Sequence, residues 1–198
     1  MRCKRTYGAL LLLSFVVVSC NLFDTRDPEN PITDNQSLPA ATDERILMQN
    51  FLSAFQQKNI QEYEKLFADT IAHTRSFVFV PNQSAAVRYG AVFATWNKTF
   101  EVDYFRNMTG STSASSAPQI TITYPVQPVK YQSDSVVYTV DYTLFVPHSR
   151  AGITDQFAGR SELTMSPNKN NIWAIYRWID YETKKDSSWS ELKGLFSK

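Results

Sequence analysis

Val136 to Val146 reads VVYTVDYTLFV, and this stretch decides the fold class of the 198-residue chain. Apolar side chains occupy every second position, which is the period of a β-strand with one buried face. Two further alternating segments, Gln119 to Tyr124 and Phe157 to Met165, predict neighbouring strands. Ile172 to Tyr181 (IWAIYRWIDY) is apolar on both faces, as expected for a central strand covered on both sides. The C-terminal half is therefore predicted to form an antiparallel sheet.

The residues before this sheet predict three helices and a short strand. Thr42 or Asp43 can cap a first helix, and Asn59 can cap a second, shorter one. The apolar stripe of the first helix has helical spacing and consists of Leu47, Met48, Phe51, Leu52 and Phe55. A third helix is predicted from Arg88 to Asn107, after a short strand from Ser76 to Val80. Helices followed by a curved antiparallel sheet predict an α+β domain over residues 42–198.

The first twenty residues differ from the rest of the chain. Three basic residues open the sequence: Arg2, Lys4 and Arg5. The apolar run from Ala9 to Val18 is shorter than the roughly 20 residues needed to span a bilayer, which is typical of a secretory signal. Because Cys20 follows the run, the segment resembles the signal peptide of bacterial lipoproteins. That resemblance implies removal of residues 1–19 and attachment of diacylglycerol, and usually a further acyl chain such as palmitate, to Cys20.

An alternative interpretation of this segment is an ordinary cleaved signal, or a short N-terminal anchor, with an incidental cysteine. Residues 20–41 are rich in Asp, Asn and Pro without periodicity, and they predict a disordered tether. Asn21 directly after the cysteine resembles the pattern of Gram-negative lipoproteins that reach the outer membrane. The expected location is therefore the bacterial cell envelope, with membrane lipid bound through Cys20.

Composition and motifs exclude several function classes. The chain is 43% hydrophobic and 20% charged, with a net charge of +1, so it can form a core but lacks the basic surface of a nucleic-acid-binding protein. His73 and His148 are the only histidines, and neither has a third metal ligand nearby in the sequence, so no metal site is predicted. A phosphate-binding glycine loop is also missing from the sequence, and no cofactor is expected.

The predicted order helix–helix–strand–helix–strands resembles the nuclear transport factor 2-like cone fold, which ketosteroid isomerases and polyketide cyclases share. A narrower likeness, from Ile46 to Phe196, is to uncharacterised bacterial lipoproteins that carry such a domain. Its markers include Trp96 with Glu101, Trp178-Ile179-Asp180, and Trp189 with Leu192-Lys193-Gly194. The sequence departs from that pattern at Ser190, where glycine is usual. The resemblance implies a cone-shaped sheet packed against three N-terminal helices, but no established activity.

Two hypotheses for the function follow. The first, which we favour, is a non-enzymatic module that binds an apolar small molecule or an envelope protein, because the predicted interior is aromatic and lacks convergent polar groups. The residues expected to line its pocket are Tyr63, Trp96, Tyr176 and Trp178.

The second hypothesis is an isomerase or cyclase-like enzyme, which needs a pocket carboxylate and a tyrosine. Asp141 is the candidate base, with Tyr63 or Tyr176 as the phenol. The competing interpretation is that Asp141 faces water, because it alternates with the apolar positions of its strand. A scaffold that forms a homodimer through its sheet is a third interpretation.

Overall fold

The computed structural model describes residues 37–112, 115–123, 129–131 and 134–198. The predicted signal peptide, Cys20 and most of the predicted tether lie outside the described residues. Ser37–Lys198 is one unit, and its first residues already pack on the domain. The Trp173 amide donates to the Ala41 carbonyl at 2.7 Å, and the Asn50 side chain donates to the Pro39 carbonyl at 2.7 Å. Pro39 and Ala41, which the sequence analysis assigned to the tether, therefore contact the domain.

The helices of the described residues are α1 (Glu44–Gln56), α2 (Ile60–Lys65), α3 (Gln83–Arg88), α4 (Gly90–Phe93), α5 (Lys98–Gly110) and α6 (Trp189–Phe196). The Asp43 and Asn59 side chains cap α1 and α2 by accepting amide hydrogen bonds. The prediction of a single helix from Arg88 to Asn107 was wrong, because this range is divided among α3, α4 and α5. A new helix starts at Lys98 because the Asn97 side chain accepts hydrogen bonds from the next amides and fixes an N-terminus there.

The strands are β1 (Val78–Val80), β2 (Gln119–Thr123), β3 (Val129–Tyr131), β4 (Val136–Phe145), β5 (Gln156–Pro167) and β6 (Trp173–Glu182). They form one sheet in the order β1-β6-β5-β4-β2, and β3 also pairs with β4. The α+β class is confirmed. The sheet is antiparallel except that β1 runs parallel to β6. Because β1 and β6 are far apart in the chain, no hairpin turn fixes their relative direction.

The sheet buries one face against the helices. In β4 the alternation has the predicted direction, since Tyr138, Val140 and Tyr142 are buried while Thr143 and Phe145 are exposed. β6 differs from the expectation of a strand covered on both sides. Trp178 and Asp180 are buried, but the Arg177 and Tyr181 side chains on the opposite face are exposed. The helices therefore cover a single face of the sheet at this end of β6.

Helix α6, which the sequence did not predict, lies inside the fold. All of its residues except the half-buried Leu195 are buried, which is the pattern of a helix surrounded by protein. The Trp189 ring packs on Phe51 and Phe55 of α1, with centroids 5.6 Å apart in both pairs. A Cβ atom at Gly194 would lie 2.3 Å from the Tyr89 ring, so glycine is required where α6 meets the end of α3.

Candidate functional site

The interior contains an ion pair between Glu101 of α5 and Lys193 of α6. The Lys193 Nζ donates to Glu101 Oε2 at 2.7 Å, and both side chains are 0% exposed. Asn97 caps α5 and Ser188 caps α6, so each helix begins a few residues before its charged side chain. The caps fix the two helix starts, and the charges then face each other across the interior. This pair is the centre of the polar groups in the interior.

The Glu101 carboxylate is held by two neutral donors as well. The Tyr63 hydroxyl donates to Oε1 at 2.9 Å, and the Trp96 indole N–H donates to Oε2 at 2.8 Å. The Tyr63 ring stacks on Phe105 with centroids 3.8 Å apart. Burial, reinforced by the Glu101 charge, raises the pKa of Tyr63 well above its ordinary value. The phenol is therefore a permanent donor at neutral pH and holds the carboxylate in place.

Lys193 sits between two aromatic rings. Its Nζ lies 3.6 Å from the ring centroid of Phe79 and 3.6 Å from that of Trp178. Burial lowers the pKa of Lys193 from 10.5 to about 8, although the Glu101 carboxylate opposes this change. The ammonium form therefore predominates at neutral pH, stabilised by the carboxylate and by the faces of the rings.

A second buried carboxylate, Asp180 of β6, binds the start of α6. Its Oδ2 accepts from the Ser190 amide at 2.7 Å and from the Ser190 hydroxyl at 2.6 Å, and its Oδ1 accepts from the Tyr142 hydroxyl at 2.7 Å. Tyr142 in turn accepts from the Trp189 amide at 2.6 Å. The Ser190 hydroxyl gives Asp180 a donor that glycine, the usual residue in the related pattern, would lack.

These contacts determine what the interior can do chemically. Glu101 together with Tyr63 is the carboxylate and tyrosine combination that an acid–base enzyme would need. However, Lys193 neutralises the Glu101 charge, and large aromatic side chains and α6 fill the space around both groups. Both side chains are 0% exposed among the described residues, so a substrate could contact this pair only after a displacement of the side chains or of α6. The arrangement is that of a closed, internally paired site.

The structure places Asp141 away from this interior, on the exposed face of β4. Its carboxylate accepts two hydrogen bonds from the Arg160 guanidinium, at 2.7 and 3.1 Å. The hydrogen bond from Arg160 lowers the pKa of Asp141. As a correction to the enzyme hypothesis, Asp141 cannot act with Tyr63, because successive side chains of a strand point to opposite faces and Asp141 points outward.

Three of the four predicted pocket residues come together. Tyr63 and Trp96 both donate to Glu101, and the Trp178 ring covers Lys193. Tyr176 does not join them. The register between β5 and β6 shifts between Thr164 and Met165, so that Tyr176 has no paired position in β5 and the alternation of β6 is interrupted there. Its half-buried ring lies under the Arg75 guanidinium, which is 4.5 Å from the ring centroid. The number and spacing of the aromatic residues predicted that Tyr63, Trp96 and Trp178 would lie in the interior. Their rings pack against Glu101, Lys193 and other side chains and do not line an open pocket.

Sequence reasoning did not assign a role to Glu101, Lys193 or Asp180. All three belong to the markers of the lipoprotein resemblance, and each lies within five residues of a tryptophan. A charged residue inside a short apolar segment such as WSELKGLF is the signal that could have indicated Lys193. Helical periodicity alone does not show that a lysine and a distant glutamate will meet.

An open surface cleft of about 530 Å³ lies beside residues 37–41. Its apolar wall includes Leu38, Leu47 and Trp173. On the polar side, Lys98 Nζ donates to Asp69 Oδ2 at 2.8 Å, and this hydrogen bond lowers the pKa of Asp69 to about 2.

His73 also lines this cleft. Its Nδ1 atom is buried and has no hydrogen-bond partner among the described residues. Burial lowers the pKa of the imidazole, which favours the neutral ring with one donor and one acceptor nitrogen. A buried polar atom without a partner is costly unless a ligand or water pairs with it.

In the described ranges, histidine, cysteine and acidic residues nowhere form a group of three that could hold a metal ion. In the same part of the chain, each helix is too short or too polar to cross a bilayer.

Comparison with known proteins gives matches in structure but not in sequence. No family model matches the chain, and no curated protein matches it. A nuclear transport factor 2-like superfamily protein from Salmonella enterica serovar Typhimurium is similar over 70% of this chain and 88% of its own, with a TM-score of 0.51 and 12% identity. A conserved protein from Planctomyces limnophilus is similar over 68% of this chain and 89% of its own, with a TM-score of 0.50 and 11% identity.

A third solved structure, a nuclear transport factor 2-like protein of unknown function in nutrient uptake from Rhodospirillum rubrum, is similar over 72% of this chain and 99% of its own. Its TM-score is 0.50 and its identity is 14%. At such identities the likeness concerns the fold alone. This chain therefore has the nuclear transport factor 2-like fold that its order of helices and strands predicted.

Proposed function

We propose that this protein is a lipid-anchored module of the bacterial cell envelope that binds a small amphipathic molecule in the surface cleft. The observation that carries the binding role is the open cleft of about 530 Å³, whose lining includes apolar side chains, Lys98 and His73. The buried His73 Nδ1 has no hydrogen-bond partner among the described residues. Ligand sites combine an apolar wall with a few polar groups that orient the ligand. Trp173 and Leu38 supply the wall, while His73 and Lys98 supply the polar groups.

The charged groups of the interior are already paired with one another, which supports a ligand site at the surface rather than in the interior. Glu101 and Lys193 neutralise each other, and Asp180 is occupied by donors from Ser190 and Tyr142. A ligand in the interior would have to displace α6 and leave buried charges without partners, which costs several kcal/mol. The cleft offers binding without such a change.

Binding can be tested with an environment-sensitive dye, anilinonaphthalene sulfonate, whose apolar rings match the Trp173 wall of the cleft. We expect saturable binding with one site per chain, and at least about tenfold weaker binding to Trp173→Ala, because that variant loses the large apolar wall. Tyr176→Ala is the matched control, since Tyr176 is a half-buried aromatic residue that does not line the cleft. Equal affinity of Trp173→Ala and Tyr176→Ala would reject the cleft as the site.

Membrane anchoring rests on the basic start, the apolar run and Cys20, in that order. Two or more acyl chains on one residue hold a protein firmly at a membrane, whereas one chain binds marginally. We expect the intact mass of the native protein to correspond to a chain that begins at Cys20 and carries acyl groups. We also expect Cys20→Ala to leave the membrane fraction. An uncut N-terminus or an unmodified Cys20 thiol would exclude the anchor but would leave the dye experiment valid.

A further inference from the structure

The interior holds a positive charge inside a cage of aromatic rings. Lys193 Nζ lies 3.6 Å from the ring centroids of Phe79 and Trp178, and 5.8 Å from those of Trp96 and Tyr104. A cation within about 6 Å of a ring centroid is attracted by the negative face of the ring, and more strongly when water is excluded. The Lys193 side chain is 0% exposed, so the rings replace the water that an ammonium group normally binds.

The remaining wall of the cage is a carboxylate that is oriented independently of Lys193. Tyr63 and Trp96 hold Glu101 at 2.9 and 2.8 Å, and neither residue belongs to α6. The carboxylate therefore presents Oε2 at a fixed position, where Lys193 Nζ meets it at 2.7 Å. The cage residues come from α2, from α5 and the segment before it, and from β1 and β6. Helix α6 contributes only the group that fills the cage.

We propose that the interior of this fold is a binding site for a primary alkylammonium group, which the chain occupies with its own Lys193 side chain. The chemistry of the cage defines the ligand class. The contact with Glu101 needs an N–H donor, which a quaternary ammonium lacks, and the ring faces need a positive charge, which an alcohol lacks. In the native chain Lys193 saturates the site, and a separate amine can enter only when that side chain is absent.

The test is rescue of Lys193→Ala by n-propylammonium, which supplies the three carbons and the nitrogen that the substitution removes. The full-length variant is heated at pH 6.5 with increasing n-propylammonium chloride. We expect a saturable rise of several degrees in Tm. Equal concentrations of 1-propanol, of trimethylpropylammonium and of ammonium chloride should give no such rise. Wild type and Lys193→Met should not respond to the amine, because a side chain already fills the cage.

Because Lys193→Ala is expected to be unstable, the same additions are also made during refolding from denaturant. Higher recovery of folded protein with n-propylammonium alone supports the site. If the amine changes neither Tm nor recovery, or if 1-propanol acts equally well, the proposal is overturned.

A second measurement uses the wild type and does not depend on the stability of a variant. Nitrogen-15 NMR at pH 6.5 should show Lys193 Nζ as a charged ammonium with slow hydrogen exchange. Its side-chain protons should be shifted upfield by the Phe79 and Trp178 rings. A neutral amine, or exchange as rapid as that of the exposed lysines, would show that the cage does not bind the cation and would overturn the proposal.

Discussion

Two ion pairs in this molecule have the same length but different surroundings. Lys193 and Glu101 meet at 2.7 Å with both side chains 0% exposed, and Arg160 and Asp141 meet at 2.7 Å with side chains 52% and 46% exposed. An exposed ion pair adds little to the free energy of unfolding, because water stabilises each charge about as much as the partner charge does. In the interior neither charge has water, so each depends on the other. Distance alone therefore does not indicate what an ion pair contributes.

The largest expected effect is loss of one member of the buried pair. Lys193→Met leaves the Glu101 charge without its cation, and Glu101→Gln leaves the Lys193 charge without its anion. Each should lower the free energy of unfolding by about 3–5 kcal/mol. The double variant restores neutrality and should lose much less than the sum of the two, as measured by denaturant unfolding in a double-mutant cycle. Strict additivity of the two losses would show that the pair does not act as a unit.

The pH dependence of stability should reveal the burial of Lys193. Its pKa is lowered from 10.5 to about 8 in the folded protein, so between these values the unfolded chain binds more protons than the folded chain. The free energy of unfolding should therefore rise with pH over this window, by on the order of 3 kcal/mol. Burial raises the pKa of Tyr63, Tyr104 and Tyr142, so above about pH 10 the unfolded chain loses protons first and stability should fall.

Denaturant unfolding at pH 7, 8, 9 and 10 measures this profile. Lys193→Met is the matched control, since it should lose the rise between pH 8 and 10 and keep the fall above pH 10. A wild-type profile identical to that of Lys193→Met would contradict the assigned role of Lys193.

A smaller effect is expected from the hydroxyl that orients Glu101. Tyr63→Phe removes one of the donors to the buried carboxylate but keeps the stacked ring, and it should cost about 1–2 kcal/mol in the free energy of unfolding. Tyr181→Phe on the outer face, where the side chain is 44% exposed, should be close to neutral. Similar losses for the two variants would mean that the hydrogen bond from Tyr63 to Glu101 does not contribute measurably to the free energy of unfolding.

The smallest effect is expected at the exposed pair. Asp141→Asn should change the free energy of unfolding by less than about 1 kcal/mol, and added salt should reduce even this difference. Thermal unfolding at low and high ionic strength checks both statements. A loss as large as that of Lys193→Met would remove the contrast between the two pairs.

The contrast also explains which parts of the site could be predicted. Alternation along β4 was enough to place Tyr142 inward and to allow Asp141 an outward position, because side chains of a strand alternate whatever the strand packs against. The helix caps at Asp43 and Asn59 could also be predicted, since a cap is a contact between residues that are close in the sequence. The break before Lys98 was missed because apolar spacing continued through it, although Asn97 was available as a cap.

Local sequence by itself determined the α+β class, the main strands and the aromatic character of the interior, because these follow from periodicity and composition over short segments. Only the tertiary structure decided that α6 enters the interior and that Lys193 meets Glu101, which lies far away in the chain. Whether a lysine is solvated on the surface or caged among rings depends on which distant elements exclude water from it. The exclusion of water is a property of the packed molecule, and it determines how much a charged side chain contributes to the free energy of unfolding.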